Sequence, residues 1–340
     1  MRTAADRIVV ALVLALAFTG GCVDSDPGER DLRVDLQMSP VVLGHEAVFA
    51  DVTVVNLGDR PVDLLSWYLP VTDLQESLFA VARDGQPVAY VGPRYKRALP
   101  DASDFITIAA GASATWRVEL SRFYDFSQSG DYTVEVMLDD AKLRGGSGIV
   151  ASTAAQAWVE GRVAVPEKQG GGGGRACSST EQAQIVTAIG DAGAYSSAAR
   201  DYLGGSPSGT PRYVTWFGAF STAGWNTAHT HFVAIADAFA NKPITVQCGC
   251  KQKNVYAFVD PNKPYVITVC GAFWPAPATG TDSKAGTLVH EMSHFNVVAS
   301  TNDNAYGQAA CKSLAQSDPA AALDNADSHE YFAENNPAQP

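Results

Sequence analysis

A run of five glycines at residues 170–174 constrains this 340-residue chain more than any other feature. A stretch without side chains has nothing to pack and the most backbone freedom to lose, so residues 166–175 read as a flexible linker. No single core can pass through it. The chain therefore reads as multidomain, and its two sides differ in texture. It is 46% apolar and 18% charged, a globular rather than a disordered composition. Its 36 acidic and 24 basic residues leave a net charge of −12. Affinity for nucleic acid comes mainly from neutralising phosphates, so this balance argues against a nucleic-acid partner.

The chain begins with an apolar run of 11 residues, 8–18, where a membrane-spanning helix needs about 20. Arg2 and Arg7 precede it and Thr19-Gly20-Gly21-Cys22 follows, the layout of an export signal over residues 1–22. Cys22 falls where a bacterial lipoprotein carries its acylated cysteine, a possible lipid anchor, although Thr19 stands where such signals carry Leu. Simple cleavage is the alternative. The expected destination is the medium or the outer cell surface. In an exported chain Cys177, Cys248, Cys250, Cys270 and Cys311 read as disulfide partners before redox or metal groups.

Between residues 30 and 165 the apolar period is two. Val34, Leu36 and Met38 alternate with polar residues, as do Trp116, Val118 and Leu120, and Tyr132, Val134, Val136 and Leu138. Turn signals such as Asp84-Gly85 separate these runs. About seven short strands at this spacing suggest an antiparallel β-sandwich, immunoglobulin-like in outline but without its inter-sheet disulfide. His45 is the only histidine here, and no catalytic grouping is evident. A binding, spacer or inhibitory role stays open.

Past the linker the period becomes helical. Ser178-x-x-Glu181 has the form of a capping box ahead of Ile185, Val186 and Ile189. Trp225, Ala228, Phe232, Ile235 and Phe239 make one helical stripe. Residues 244–247, 255–259 and 265–269 read as short strands, the last offering an edge for antiparallel pairing with an extended substrate. Residues 176–340 thus form an α+β domain, mainly helical.

The informative stretch is His290-Glu291-x-x-His294. On a helix, two imidazoles four residues apart share one face and can grip one metal ion, with Glu291 beside them to take a proton from water. A catalytic zinc needs a third protein ligand and an open position. A histidine-rich continuation is absent, because Val297 and Ser300 occupy its places. A carboxylate from a later helix, Glu330, is one candidate, and Asp303, nine residues on, is another. Asp327 and Glu330 are three apart on a helix and so share a face, where two converging acids favour a long cationic side chain.

At these residues the sequence resembles the deuterolysin and peptidyl-Lys metalloendopeptidase family, the aspzincins. Their signature is His-Glu-x-x-His followed by Gly-Thr-x-Asp-x-x-Tyr-Gly, and only the first glycine is changed here, to Ser300. The likeness extends through Tyr213-Val-Thr-Trp-Phe-Gly218 and residues 325–337, covering nearly all of 176–340 and none of the strand-rich half. It implies a zincin-type fold with one zinc ion held by His290, His294 and Asp303. It further implies Glu291 as general base on the zinc-activated water and Tyr306 as a donor to the oxyanion. In the Lys-specific branch, acids at the positions of Asp327 and Glu330 bind the Lys that follows the cleaved bond. Disulfides Cys177–Cys248 and Cys250–Cys270 are implied too, leaving Cys311 as a buried apolar residue.

The reading is then an exported, monomeric zinc endopeptidase that cuts proteins and peptides on the N-terminal side of Lys. The rivals are a protease of broad specificity and a surface binding protein with an inactive protease half. His229 and His231 are two apart and cannot share a helix face, so no second metal is expected there. His329 lies between the two acids, either tuning them or at the surface. The N-terminal module is either a propeptide over the cleft or a retained binding module. Glu167–Lys168 is an Xaa–Lys bond in an accessible stretch where such an enzyme could mature itself.

Overall fold

The computed structural model describes residues 31–71, 73–161 and 175–340. The export segment with Cys22, the glycine run and the Glu167–Lys168 bond lie outside the described residues.

The first half builds β1 (Leu32–Met38), β2 (Val41–Val42), β3 (Phe49–Asn56), β4 (Val62–Leu65), β5 (Phe79–Arg83), β6 (Gln86–Pro87), β7 (Arg94–Arg97), β8 (Phe105–Ile108), β9 (Ser113–Glu119) and β10 (Gly130–Asp139). A short helix, α1 (Asp140–Arg144), then leads to β11 (Ile149–Ala151) and β12 (Ala155–Val159). The period-two pattern has the expected effect. In β10, Tyr132, Val134, Val136 and Leu138 are buried and the residues between them are not. Most of these strands form three sheets, ordered β1-β3-β9, β2-β12-β10-β5-β6 with β11 beside β10, and β4-β8. Within these three sheets every pairing is antiparallel except β2 with β12. One apolar core, including Val52, Leu64, Leu120 and Val134, lies among them.

The second half builds α2 (Ser179–Leu203), α3 (Pro211–Phe217), α4 (Thr222–Asn241), β13 (Thr245–Gln247), β14 (Val255–Val259) and β15 (Val266–Val269). It continues with α5 (Lys284–His294), α6 (Gly307–Ser317), α7 (Pro319–Leu323) and α8 (Ala326–Glu334). Ser178 caps α2 as anticipated: its hydroxyl accepts the Glu181 N–H, and the Glu181 carboxylate accepts the Ser178 N–H at 2.8 Å. Trp225, Ala228, Phe232 and Ile235 of α4 are buried and Phe239 is half-buried. Full burial of a large apolar side chain contributes about 1.5–3 kcal/mol, so this stripe fixes the helix against α2. Every residue of α5 is buried, with α2, α8 and β14 packed around it.

Both anticipated disulfides are present, Cys177–Cys248 and Cys250–Cys270. The first spans 71 positions, a closure that stabilises by about 4 kcal/mol on chain-entropy grounds. Cys311 is a buried free thiol on α6 whose sulfur accepts from Asn325 Nδ2 at 3.3 Å. Among the described residues no helix is long and apolar enough to cross a membrane.

One strand crosses between the halves. The sheet of the second half runs β13-β15-β14-β7, so Arg94–Arg97 of the first half completes it. β7 lies antiparallel to β14, with Tyr95 opposite Phe258 and Lys96 opposite Ala257. The sequence pointed to residues 265–269 as the pairing edge. That strand is internal, held by β13 on one side and β14 on the other, and it is residues 255–259 that pair with β7.

Candidate active site

Ser283 opens α5, its hydroxyl accepting the Gly286 N–H at 2.9 Å and donating to Glu334 Oε1 at 2.7 Å. Gly286 has no room for a larger residue, because a Cβ there would meet Glu334 Oε1 at 2.1 Å and Glu330 Cγ at 3.0 Å. One turn later the helix presents His290 and His294, whose Nε2 atoms are 3.1 Å apart. The other ring nitrogen of His294 lies 2.8 Å from the Thr301 carbonyl oxygen, which orients the imidazole.

The chain then turns back through Ser300, whose φ of 55° is left-handed and suits the glycine of the family signature. Asn302 bridges to Asn325, and the side-chain oxygen of Asn325 accepts the N–H groups of Asn304 and Ala305 at 2.9 Å. Held this way, Asp303 puts Oδ1 3.2 Å from His290 Nε2 and 3.3 Å from His294 Nε2. Three donors separated by 3.1–3.3 Å come within a few tenths of an ångström of the roughly 3.3–3.4 Å edge of a tetrahedron with bonds of about 2.0–2.1 Å, the size zinc requires. Burial disfavours charge on Asp303, but the two imidazoles outweigh it and hold the carboxyl well below its usual range. Burial likewise opposes charge on His290, yet Asp303 and Asp327 push its pKa to about 10. The grouping calls for a cation.

Glu291 is fully buried beside these groups, and neither carboxylate oxygen has a hydrogen-bond partner of ordinary geometry. Burial pushes its pKa to about 8, with the Lys96 main-chain N–H among the influences drawing it back down. The Tyr306 hydroxyl lies 2.8 Å from the carbonyl oxygen of Tyr95 and 3.0 Å from Glu76 Oε1. Burial pushes Glu76 to about 7, helped by the charge of Asp303.

A second acidic grouping adjoins the first. His290 Nδ1 lies 2.7 Å from Asp327 Oδ1 and 3.6 Å from Glu330 Oε2. Its centre is filled by Lys96, whose ammonium is 2.6 Å from Glu330, 3.4 Å from Asp327 and 3.6 Å from Asp282. The rings of Tyr256 and Tyr331 stand 5.2 and 5.7 Å away, within cation–π range. Burial opposes the Lys96 charge, but the three acids outweigh it and hold the pKa well above normal. The Gly307 N–H donates to Asp327 Oδ2 at 2.7 Å, fixing that carboxylate.

Every candidate residue from the sequence thus converges here: His290, Glu291, His294, Asp303, Tyr306, Asp327 and Glu330. Four others were not anticipated: Glu76, Tyr95, Lys96 and Asp282. The sequence shows no catalytic grouping in the strand-rich half and leaves its role open; Glu76, Tyr95 and Lys96 of that half lie against the site. The signal was Arg94-Tyr95-Lys96-Arg97, three cations in four residues of an acidic chain. His329 is neither at the surface nor beside the acids. It is buried among Phe217 and Phe232, 2.9 Å from His231 Nδ1, and burial lowers its pKa to about 3.

Residues 202–334 match the sequence family described as lysine-specific metallo-endopeptidase, the M35 aspzincins. An extracellular protease of Aeromonas hydrophila is 41% identical over 90% of this chain and 93% of its own. A peptidyl-Lys metalloendopeptidase of Pleurotus ostreatus is 51% identical over 48% of this chain and 96% of its own. Among solved structures, a zinc peptidase from Grifola frondosa is 47% identical, with a TM-score of 0.47, over 48% of this chain and all of that one.

Proposed function

The chain belongs to the lysine-specific aspzincin family of zinc metalloendopeptidases, and from that premise we propose that it is an exported enzyme that cuts proteins and peptides on the N-terminal side of Lys. In this reading His290, His294 and Asp303 hold the ion. Bound zinc supplies Lewis acidity, polarising the peptide carbonyl and lowering the pKa of a coordinated water to about 7. Glu291, buried beside the three ligands, takes the proton from the attacking water and passes it to the departing amine. Tyr306 donates to the carbonyl oxygen as negative charge develops there, a contribution of about 3 kcal/mol for one such donor. Asp327 and Glu330, with Asp282, receive the Lys ammonium.

The observation that carries the Lys preference is the ammonium of Lys96 held among these three carboxylates. Close contacts to a compact point charge, framed by two aromatic rings, favour Lys over the broad planar fork of Arg. The same contact supports reading the strand-rich half as a prosegment that covers the cleft of a monomeric precursor. Digestion of an unfolded protein by the mature enzyme tests the specificity. New N termini that begin with Lys support it, and termini spread over many residue types overturn it.

A further inference from the structure

We propose that the Tyr95–Lys96 peptide bond is a processing site that the enzyme cuts within its own chain, a deduction that rests on the Lys preference proposed above. Two contacts bracket this bond. On its carbonyl side, the Tyr95 oxygen lies 2.8 Å from the Tyr306 hydroxyl. On its nitrogen side, the Lys96 ammonium fills the acidic pocket. Antiparallel pairing of β7 with β14 sets the strand direction, so the carbonyl and the side chain reach their partners together. A strand that merely blocked the cleft could do so in either direction and with any side chain. This one presents a complete Xaa–Lys bond in register.

The chemistry balances with water alone. Water oxygen adds to the Tyr95 carbonyl carbon, the carbon–nitrogen bond breaks, and the nitrogen of Lys96 takes up both protons of the water. The products are a Tyr95 carboxylate and a Lys96 α-ammonium. The cut ends stay anchored. Tyr90 bridges to Tyr124 before the bond. After it the Arg97 guanidinium stacks over Trp67 and Tyr95 and donates to Gln75 Oε1 at 2.6 Å. The nicked chain therefore remains one folded particle, and its two pieces separate only on denaturation.

The test starts from full-length precursor purified without metal, to which Zn²⁺ is added, with N termini read after denaturation. The expected result is a new terminus at Lys96. It forms at a rate unchanged by 100-fold dilution and is absent in Glu291→Gln and Lys96→Met. A parallel reading needs no activity: in the metal-free precursor Lys96 resists reductive methylation while exposed lysines react, and unfolding abolishes that resistance. Near-ultraviolet circular dichroism of Lys96→Met separates loss of the cut from loss of the fold. A terminus only elsewhere, for instance before Lys168, overturns the proposal, as does a rate that falls on dilution or ready methylation of Lys96. An added Xaa–Lys peptide in the same tube keeps the two readings apart. If it is cut while the chain stays intact, the processing site fails and the specificity stands. If it resists while other bonds are cut, the specificity itself has failed.

Discussion

The Nε2 edge of His290 faces His294 and Asp303, whereas its Nδ1 edge faces Asp327 and, beyond that, Glu330 and Lys96. Both sides are buried and carboxylate-bearing, and a buried carboxylate must find a counter-charge or stay neutral. The first side has only imidazoles, so a diffusible ion completes it. The second takes an ammonium from a peptide chain, at present its own. On the proposed reading, one physical requirement accounts for both a cofactor site and a substrate pocket, separated by a single imidazole.

Breaking the first side has the largest effect. Glu291→Gln lowers kcat about 10³-fold with zinc content by mass spectrometry unchanged, whereas His294→Ala loses activity and zinc together. Next comes the second side alone. Glu330→Gln in the mature enzyme retains zinc, but kcat/KM on Xaa–Lys peptides falls about 100-fold, or about 3 kcal/mol. Asp327→Asn adds a loss of zinc affinity, because that carboxylate also orients His290. An enzyme that lost zinc equally in Glu330→Gln and Asp327→Asn would erase the distinction between the two sides.

Glu334 is a further buried carboxylate, held by the N–H and hydroxyl of Ser283 rather than by an ion pair of its own, and burial pushes its pKa to about 7. The folded state therefore binds its proton more tightly than the unfolded chain does. Stability from this group is full below pH 4.5 and is lost as pH rises toward 7, by up to about 3 kcal/mol. In Glu334→Gln that slope disappears from urea midpoints measured across the range. Gly286→Ala drives a methyl into Glu334 and Glu330 and costs about 2 kcal/mol in the same measurement. Smallest is Ser300→Gly, which relieves a left-handed φ and raises stability by about 1 kcal/mol.

The helical half was readable because its chemistry is local. Two histidines one turn apart, a capping box and an apolar stripe each lie within one element, and their spacing carries the geometry. Asp303 sits at the end of a turn set by Asn302, Asn304 and Asn325, whose side-chain bonds leave no periodic trace, so spacing offered it beside Glu330 and resemblance singled it out. Period-two alternation in the first half revealed strands but not their division among three sheets, which depends on partners distant in sequence. Lys96 was missed for the same reason. Four residues leave their own half to join another sheet, and nothing in their composition says which edge they meet. His329 shows the converse error: its neighbours in sequence are pocket acids, yet a helix sends it to the opposite face.

Once β7 departs, the hydrogen-bonding groups of Val255–Val259 that it satisfied become an open sheet border. Such a border accepts any extended polypeptide, including the same border of a neighbouring molecule. In the maturation proposed above, release of the protease would trade a sealed surface for an adhesive one. Substrate or dilution, rather than the fold itself, then keeps separate copies from pairing.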